Sequence, residues 1–230
     1  MEFITIYKII YLVIFYLLIY IVDEALIHYK DIITHDIKAR WFLLHAIANT
    51  LVVLFVFNDL LDVLYDPLMC LHSTENYYGI ALVISLHIFH LHKYKETIDR
   101  EELKHHCLTV IIIGTIFYMY IDAKLMNYTL FFICGLPGGI DMYLLYLLKI
   151  GKIEKLTEKR YNTLLNMCIR MPGILFGCAF GYVSNTYLNP NYNWVLASLL
   201  ISGISSNAIY YSHKTHANYS LKNIQEKIMN

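Results

Sequence analysis

Seven apolar runs separated by short polar connections constrain this chain more than any other feature. They cover residues 3–22, 41–61, 77–91, 105–121, 128–150, 171–187 and 194–211. About 20 apolar residues are enough for a helix to cross a hydrocarbon core about 30 Å thick. A helix also satisfies its own backbone where water cannot. Composition agrees: charged residues make up only 16%, against roughly 25% in soluble domains. The expected fold class is all-α integral membrane, a multi-pass helical bundle of about seven transmembrane helices. The first run lacks the basic start and small-residue cleavage site of a secretory leader. It is expected to be retained, with Lys8 snorkelling to the interface.

The basic residues supply the orientation. Sixteen of the eighteen Lys and Arg residues fall in alternate connections: before the second run, between the third and fourth, between the fifth and sixth, and after the seventh. Short connections rich in Lys and Arg stay cytosolic, so the N-terminus is expected outside the cytosol and the C-terminus within it. The formal net charge is zero, which excludes a strongly basic nucleic-acid binder. Five cysteines without a C-x-x-C pair imply no disulfide framework. Three segments follow: residues 1–37 as an N-terminal transmembrane helix and polar linker, residues 38–212 as a six-helix membrane domain, and residues 213–230 as a polar cytosolic tail.

This topology brings most of the ionisable residues of the apolar runs to one leaflet. His45 and Asn49 lie one turn apart on one helix face. His87, His90 and His92 end the third run, and His105-His106 opens the fourth. Arg170 precedes the sixth. Asp141 lies inside the fifth run, two turns from its end, where an unpaired carboxylate costs a few kcal/mol or more; such a residue is a functional-site hypothesis by default. A carboxylate and an imidazole sharing a proton are the minimum equipment for general acid–base work on a hydroxyl or amine. His105, His106 and Asp141 are therefore the catalytic candidates, and His45, Asn49 and Arg170 the substrate-binding ones. The plainer alternatives are helix–helix hydrogen bonds for His45 and interfacial placement for His90 and His92.

Histidine boxes near a membrane face also serve di-iron oxygenases, but one box and one pair fall short of that ligand supply, and no metal or other cofactor is expected. Leu136-Pro137-Gly138-Gly139 predicts a kink or a two-piece fifth helix. Gly177 and Gly181 have the spacing of close helix packing. Asn127-Tyr128-Thr129 is a glycosylation sequon that abuts the membrane, so it is expected to stay unoccupied.

Several strings resemble the TLC domain family. They are residues 40–49 (Arg-Trp-Phe-Leu-Leu-His-Ala-Ile-Ala-Asn), His105-His106 with Thr109, residues 135–141 (Gly-Leu-Pro-Gly-Gly-Ile-Asp), and Glu158-Lys159 with Asn162, Asn166 and Ile169-Arg170-Met171-Pro172-Gly173. The resemblance covers roughly residues 38–212. It implies an endomembrane bundle, in the endoplasmic reticulum or a related membrane, with a cavity for membrane lipid or an acyl chain. In the ceramide synthases of that family a double histidine and downstream aspartates support acyl transfer from acyl-CoA to a sphingoid amine. His105 and His106 match the pair, whereas Asp141 alone stands where those enzymes carry an aspartate cluster. The chain is thus more similar to the branch associated with membrane lipid composition. The expected function is lipid binding or handling. The alternatives are an acyl-CoA-dependent N-acyltransferase using His105-His106, and a structural membrane protein without lipid chemistry.

Overall fold

The computed structural model describes residues 2–74, 76–120, 122–188 and 194–229, and no strand occurs among them. The helices are α1 (Glu2–His28), α2 (Lys30–Ile33), α3 (Ile37–Tyr65), α4 (Tyr78–Lys93), α5 (Arg100–Lys104), α6 (Thr115–Tyr120), α7 (Lys124–Leu130), α8 (Leu136–Lys149), α9 (Lys155–Leu165), α10 (Met171–Leu188) and α11 (Trp194–Met229). Three π-helical stretches, His105–Gly114, Phe131–Gly135 and Asn166–Arg170, join α5 to α6, α7 to α8 and α9 to α10, so each pair forms one rod. Four stretches, Ile6–His28, Ile37–Tyr65, Lys124–Lys149 and Lys155–Tyr187, are long and apolar enough to cross a membrane. The expectation of an all-helical bundle suited to a membrane holds at that level.

α1 shows why such a bundle suits lipid. Ile6, Ile9, Ile10, Val13, Ile14, Leu17 and Ile21 are exposed, whereas Lys8, Phe15, Ile19, Asp23 and Leu26 are buried. An apolar side faces out while Lys8 and Asp23 face in, the reverse of a water-soluble helix; near its end α1 turns a charge outward, at Glu24. Exposed apolar belts of this kind need a non-aqueous surround.

Lys8 departs from expectation. It does not snorkel outward: its side chain is 2% exposed and pairs with Asp122 at 2.7 Å, beneath the Tyr77 ring at 4.3 Å. An ammonium with a carboxylate and an aromatic face within reach gains more inward than at an interface. Asp23, at the other end of α1, is wholly buried, with Lys93 at 3.1 Å and Arg40 at 3.5 Å, and it accepts from the Tyr94 hydroxyl. These contacts tie the end of α1, the start of α3 and the end of α4 together; this is the upper end of the bundle. Lys8, Tyr77 and Asp122 mark the lower end.

α3 is the central rod, packed on α1, α4, α7 and α8. It begins with Asp36, whose carboxylate accepts from the Ala39 N–H at 2.7 Å, an N-cap. Gly138 and Gly139 bring α8 against it: a Cβ on Gly138 would lie 3.1 Å from Asn49 Nδ2, and one on Gly139 3.4 Å from Asn49 Cβ. Pro137 falls in the first turn of α8, directly after the π-helical stretch, so the rod changes helical type there without interruption, and the glycines are placed for helix approach. On α10, Gly173 and Gly177 seat the rings of Phe132 and Tyr128, so the close-packed seam runs through Gly173 as well as Gly177.

At the lower end Asp59 accepts from Thr74 at 2.7 Å and from Asn127 Nδ2 at 2.5 Å. Asn127 is wholly buried, which seals the sequon inside the fold. At the upper end two polar stretches expected as connection and tail are helical. α9 occupies residues 155–165, and α11 continues the seventh run through Met229. They pack on one another, with the Thr163 hydroxyl donating to the Thr215 carbonyl at 3.2 Å. The fourth rod likewise starts at Arg100, so His105-His106 lies inside a helical segment instead of opening one.

Candidate functional site

A cavity of about 630 Å³ runs inside the bundle, lined by α3, α4, α7, α8, α10, α11 and the three π-helical stretches. That lies within the 300–1,000 Å³ common for small-molecule sites. The α7–α8 rod lines it from Leu125 to Met142, a span of about 25 Å at 1.5 Å per residue. Its lower part is apolar, with Ile80, Val83, Val110, Phe117, Leu125 and Leu130. Its upper part carries His45, Asn49, His87, His90, Glu102, His106, Asp141 and Arg170. All three π-helical stretches contribute to the wall, through His106, Cys134 and Arg170 among others. π-Helical turns are rare and concentrate at functional sites.

The imidazoles form one group. His90 Nδ1 and His106 Nε2 are hydrogen-bonded at 2.8 Å. One nitrogen must donate and the other accept, so at least one of the two rings is uncharged. The rings of His87 and His106 lie 4.8 Å apart, and those of His45 and His87 5.5 Å. His87 Nδ1 donates to the Val83 carbonyl at 2.7 Å. Trp41 stacks on His90 with centroids 3.7 Å apart. Placement of His90 at the interface is thereby corrected: it is buried in the cavity wall, because Trp41 and His106 offer a stack and a bond that headgroups do not. His92, on the outer side of α4, is bonded through Nδ1 to the Tyr16 hydroxyl at 2.5 Å. Among the described residues no three His, Cys, Asp or Glu side chains converge as a metal's ligand set.

Arg170 is set by a second construction. Glu158, Asn162, Asn166 and Arg170 follow each other at four-residue spacing on one helix face. Asn162 Nδ2 donates to Glu158 at 3.5 Å, Asn166 Nδ2 to Asn162 Oδ1 at 2.6 Å, and Arg170 Nη1 to Asn166 Oδ1 at 2.7 Å. Arg170 Nε then donates to the Ile133 carbonyl at 3.1 Å. That carbonyl lies four residues before Pro137, which has no N–H to offer it. The proline in the α7–α8 rod thus supplies the acceptor that holds the guanidinium.

Of the six residues picked from the sequence, His45, Asn49, His106, Asp141 and Arg170 line this one cavity, and the side chain of His105 lies outside the described residues. No hydrogen bond reaches Asp141 Oδ1 from any described residue, so through that oxygen it is not the partner of an imidazole. Glu102, Asn207 and Tyr211 also line the cavity and were not picked. Glu102 reads as part of a solvated connection, and nothing local marks it otherwise. Compared with protein-family models, with curated proteins and with solved structures, the chain matches none.

Proposed function

We propose that the chain is a seven-span membrane protein with a TLC-like domain over residues 38–212. It holds the hydrocarbon chain of a membrane lipid in the cavity and so influences membrane lipid composition. The N-terminus lies outside the cytosol, and the C-terminus is cytosolic, in the endoplasmic reticulum or a related endomembrane. One observation carries the reading: a single cavity combines a long apolar lower part with a polar upper end, the distribution an amphiphile requires. Its length of about 25 Å along α7–α8 exceeds the half-bilayer of about 15 Å that an acyl chain occupies, so chain and head both fit.

The protein is purified in detergent, extracted, and its retained lipid quantified by mass spectrometry. About one lipid per chain is expected from the wild type. Val83→Trp, which fills the apolar part, is expected to lose most of it. Absence of stoichiometric lipid from the wild type would leave only a structural role.

The bonded pair His90–His106 in the cavity wall favours a second reading, N-acyl transfer from acyl-CoA with His105 or His106 as general base. It requires N-acyl product from labelled acyl-CoA and a long-chain amine, lost in His105→Ala/His106→Ala; no product with any amine rejects it.

A further inference from the structure

An acidic and a basic side chain face the upper end of the cavity without a direct ion pair between them. Asp141 and Arg170 both line it, and no ion pair joins them among the described residues. Arg170 is fixed from behind by two neutral acceptors, the Ile133 carbonyl at 3.1 Å and Asn166 Oδ1 at 2.7 Å. Its charge is therefore uncompensated by its anchors, and N–H donors remain for a ligand. Asp141 Oδ1 is a buried acceptor with no partner among the described residues, and so is Asn49 Oδ1, which lines the same end. Buried polar atoms in a cavity need a ligand or water to complete them.

A head group entering this space meets a carboxylate and a guanidinium together. An anionic head gains from Arg170 and loses to Asp141; an ammonium head does the reverse. Either also surrenders its hydration in a low-dielectric space. A hydroxyl carries no such conflict. Its O–H donates to Asp141 Oδ1 while its oxygen accepts from Arg170, and each bond is strengthened by the charge on the protein side.

We infer that the cavity selects long-chain lipids with an uncharged, hydroxylated head, the class of long-chain alcohols and monoacylglycerols, over fatty-acid anions and long-chain amines. This rests on the reading of the cavity as a lipid-chain site, and the test separates the two. Full-length protein in neutral detergent binds a fluorescent alkyl probe. The probe is displaced by four ligands sharing one saturated chain: the alkane, the alcohol, the carboxylate and the amine. The alcohol is expected to compete at about tenfold lower concentration than either charged ligand, the worth of one well-made hydrogen bond. A probe that does not bind, or that no ligand displaces, overturns the lipid-chain reading and this inference with it. An alkane equal to the alcohol overturns the inference alone, as does a carboxylate or amine equal to it. Asp141→Asn is expected to shift preference several-fold toward the carboxylate, and Arg170→Gln several-fold toward the amine. An unchanged ranking in folded variants overturns the inference, and the wild-type panel decides it if either variant fails to fold.

Discussion

Lys8 and Asp122 form an unequal pair, and the inequality fixes what mutation will do. The ammonium is 2% exposed and the carboxylate 40%. Neutralising the carboxylate leaves a buried charge with an amide oxygen in its place and, among the described residues, the Tyr77 and Tyr118 rings. Removing the ammonium leaves a carboxylate that water can reach. Asp122→Asn is therefore expected to lower stability by about 2 kcal/mol, near the worth of a hydrogen bond to a charged group. Lys8→Met, which keeps the packing volume, is expected to cost less than half of that. Thermal unfolding of the two variants in one detergent checks the order, and equal losses would mean that Lys8 is held by its packing rather than its charge. The inward turn of Lys8 was not legible in the sequence. Its partner is 114 residues away, and hydropathy at α1 carries no trace of it.

At the scale of elements, the sequence marked positions better than purposes. Pro137-Gly138-Gly139 announced a departure from regular helix, but not that the proline would free the Ile133 carbonyl for Arg170 or that the glycines would admit α3. The period-four series Glu158, Asn162, Asn166, Arg170 was also visible. It lies in a strongly polar stretch, where connection and amphipathic helix read alike until a packing partner is known; that partner is the far half of α11. Hydropathy is equally silent about π-helical geometry, since a five-residue hydrogen-bond step alters no residue type. Pro137→Ala tests the link between proline and site. The new N–H competes with Arg170 for the Ile133 carbonyl, so the rod regularises. Stability is expected to be unchanged or raised, by up to about 3 kcal/mol. The preference for an alcohol over a charged head is expected to shrink several-fold, as competitive displacement would read. Full selectivity with the proline removed would show that the Asn166 bond alone positions the guanidinium.

For the whole molecule, the apolar runs made the helical class legible, and the charge alternation yields an expected orientation that labelling must test. The number of crossings rests most heavily on α4, whose 16 residues are short for a core about 30 Å thick. Three observations support a crossing. α4 packs along α1 and α3. Its two ends join different polar clusters, Tyr77 with Lys8 below and Lys93 with Asp23 above. Its flanking connections also differ in charge: residues 62–76 hold no Lys or Arg, whereas residues 93–104 hold Lys93, Lys95, Arg100 and Lys104. A neighbour-wrapped helix need not span lipid by itself, because its backbone and flanks are covered by protein. Single cysteines placed at the exposed positions Ser73, Lys95 and Asn218, in a background with all five native cysteines replaced by serine, read the arrangement directly. In sealed microsomes an impermeant maleimide is expected to label Lys95→Cys and Asn218→Cys at once, and Ser73→Cys only after permeabilisation. Labelling of Ser73→Cys and Lys95→Cys from the same side would remove α4 from the crossings. That outcome would also break the alternation on which the cytosolic placement of the histidine end depends.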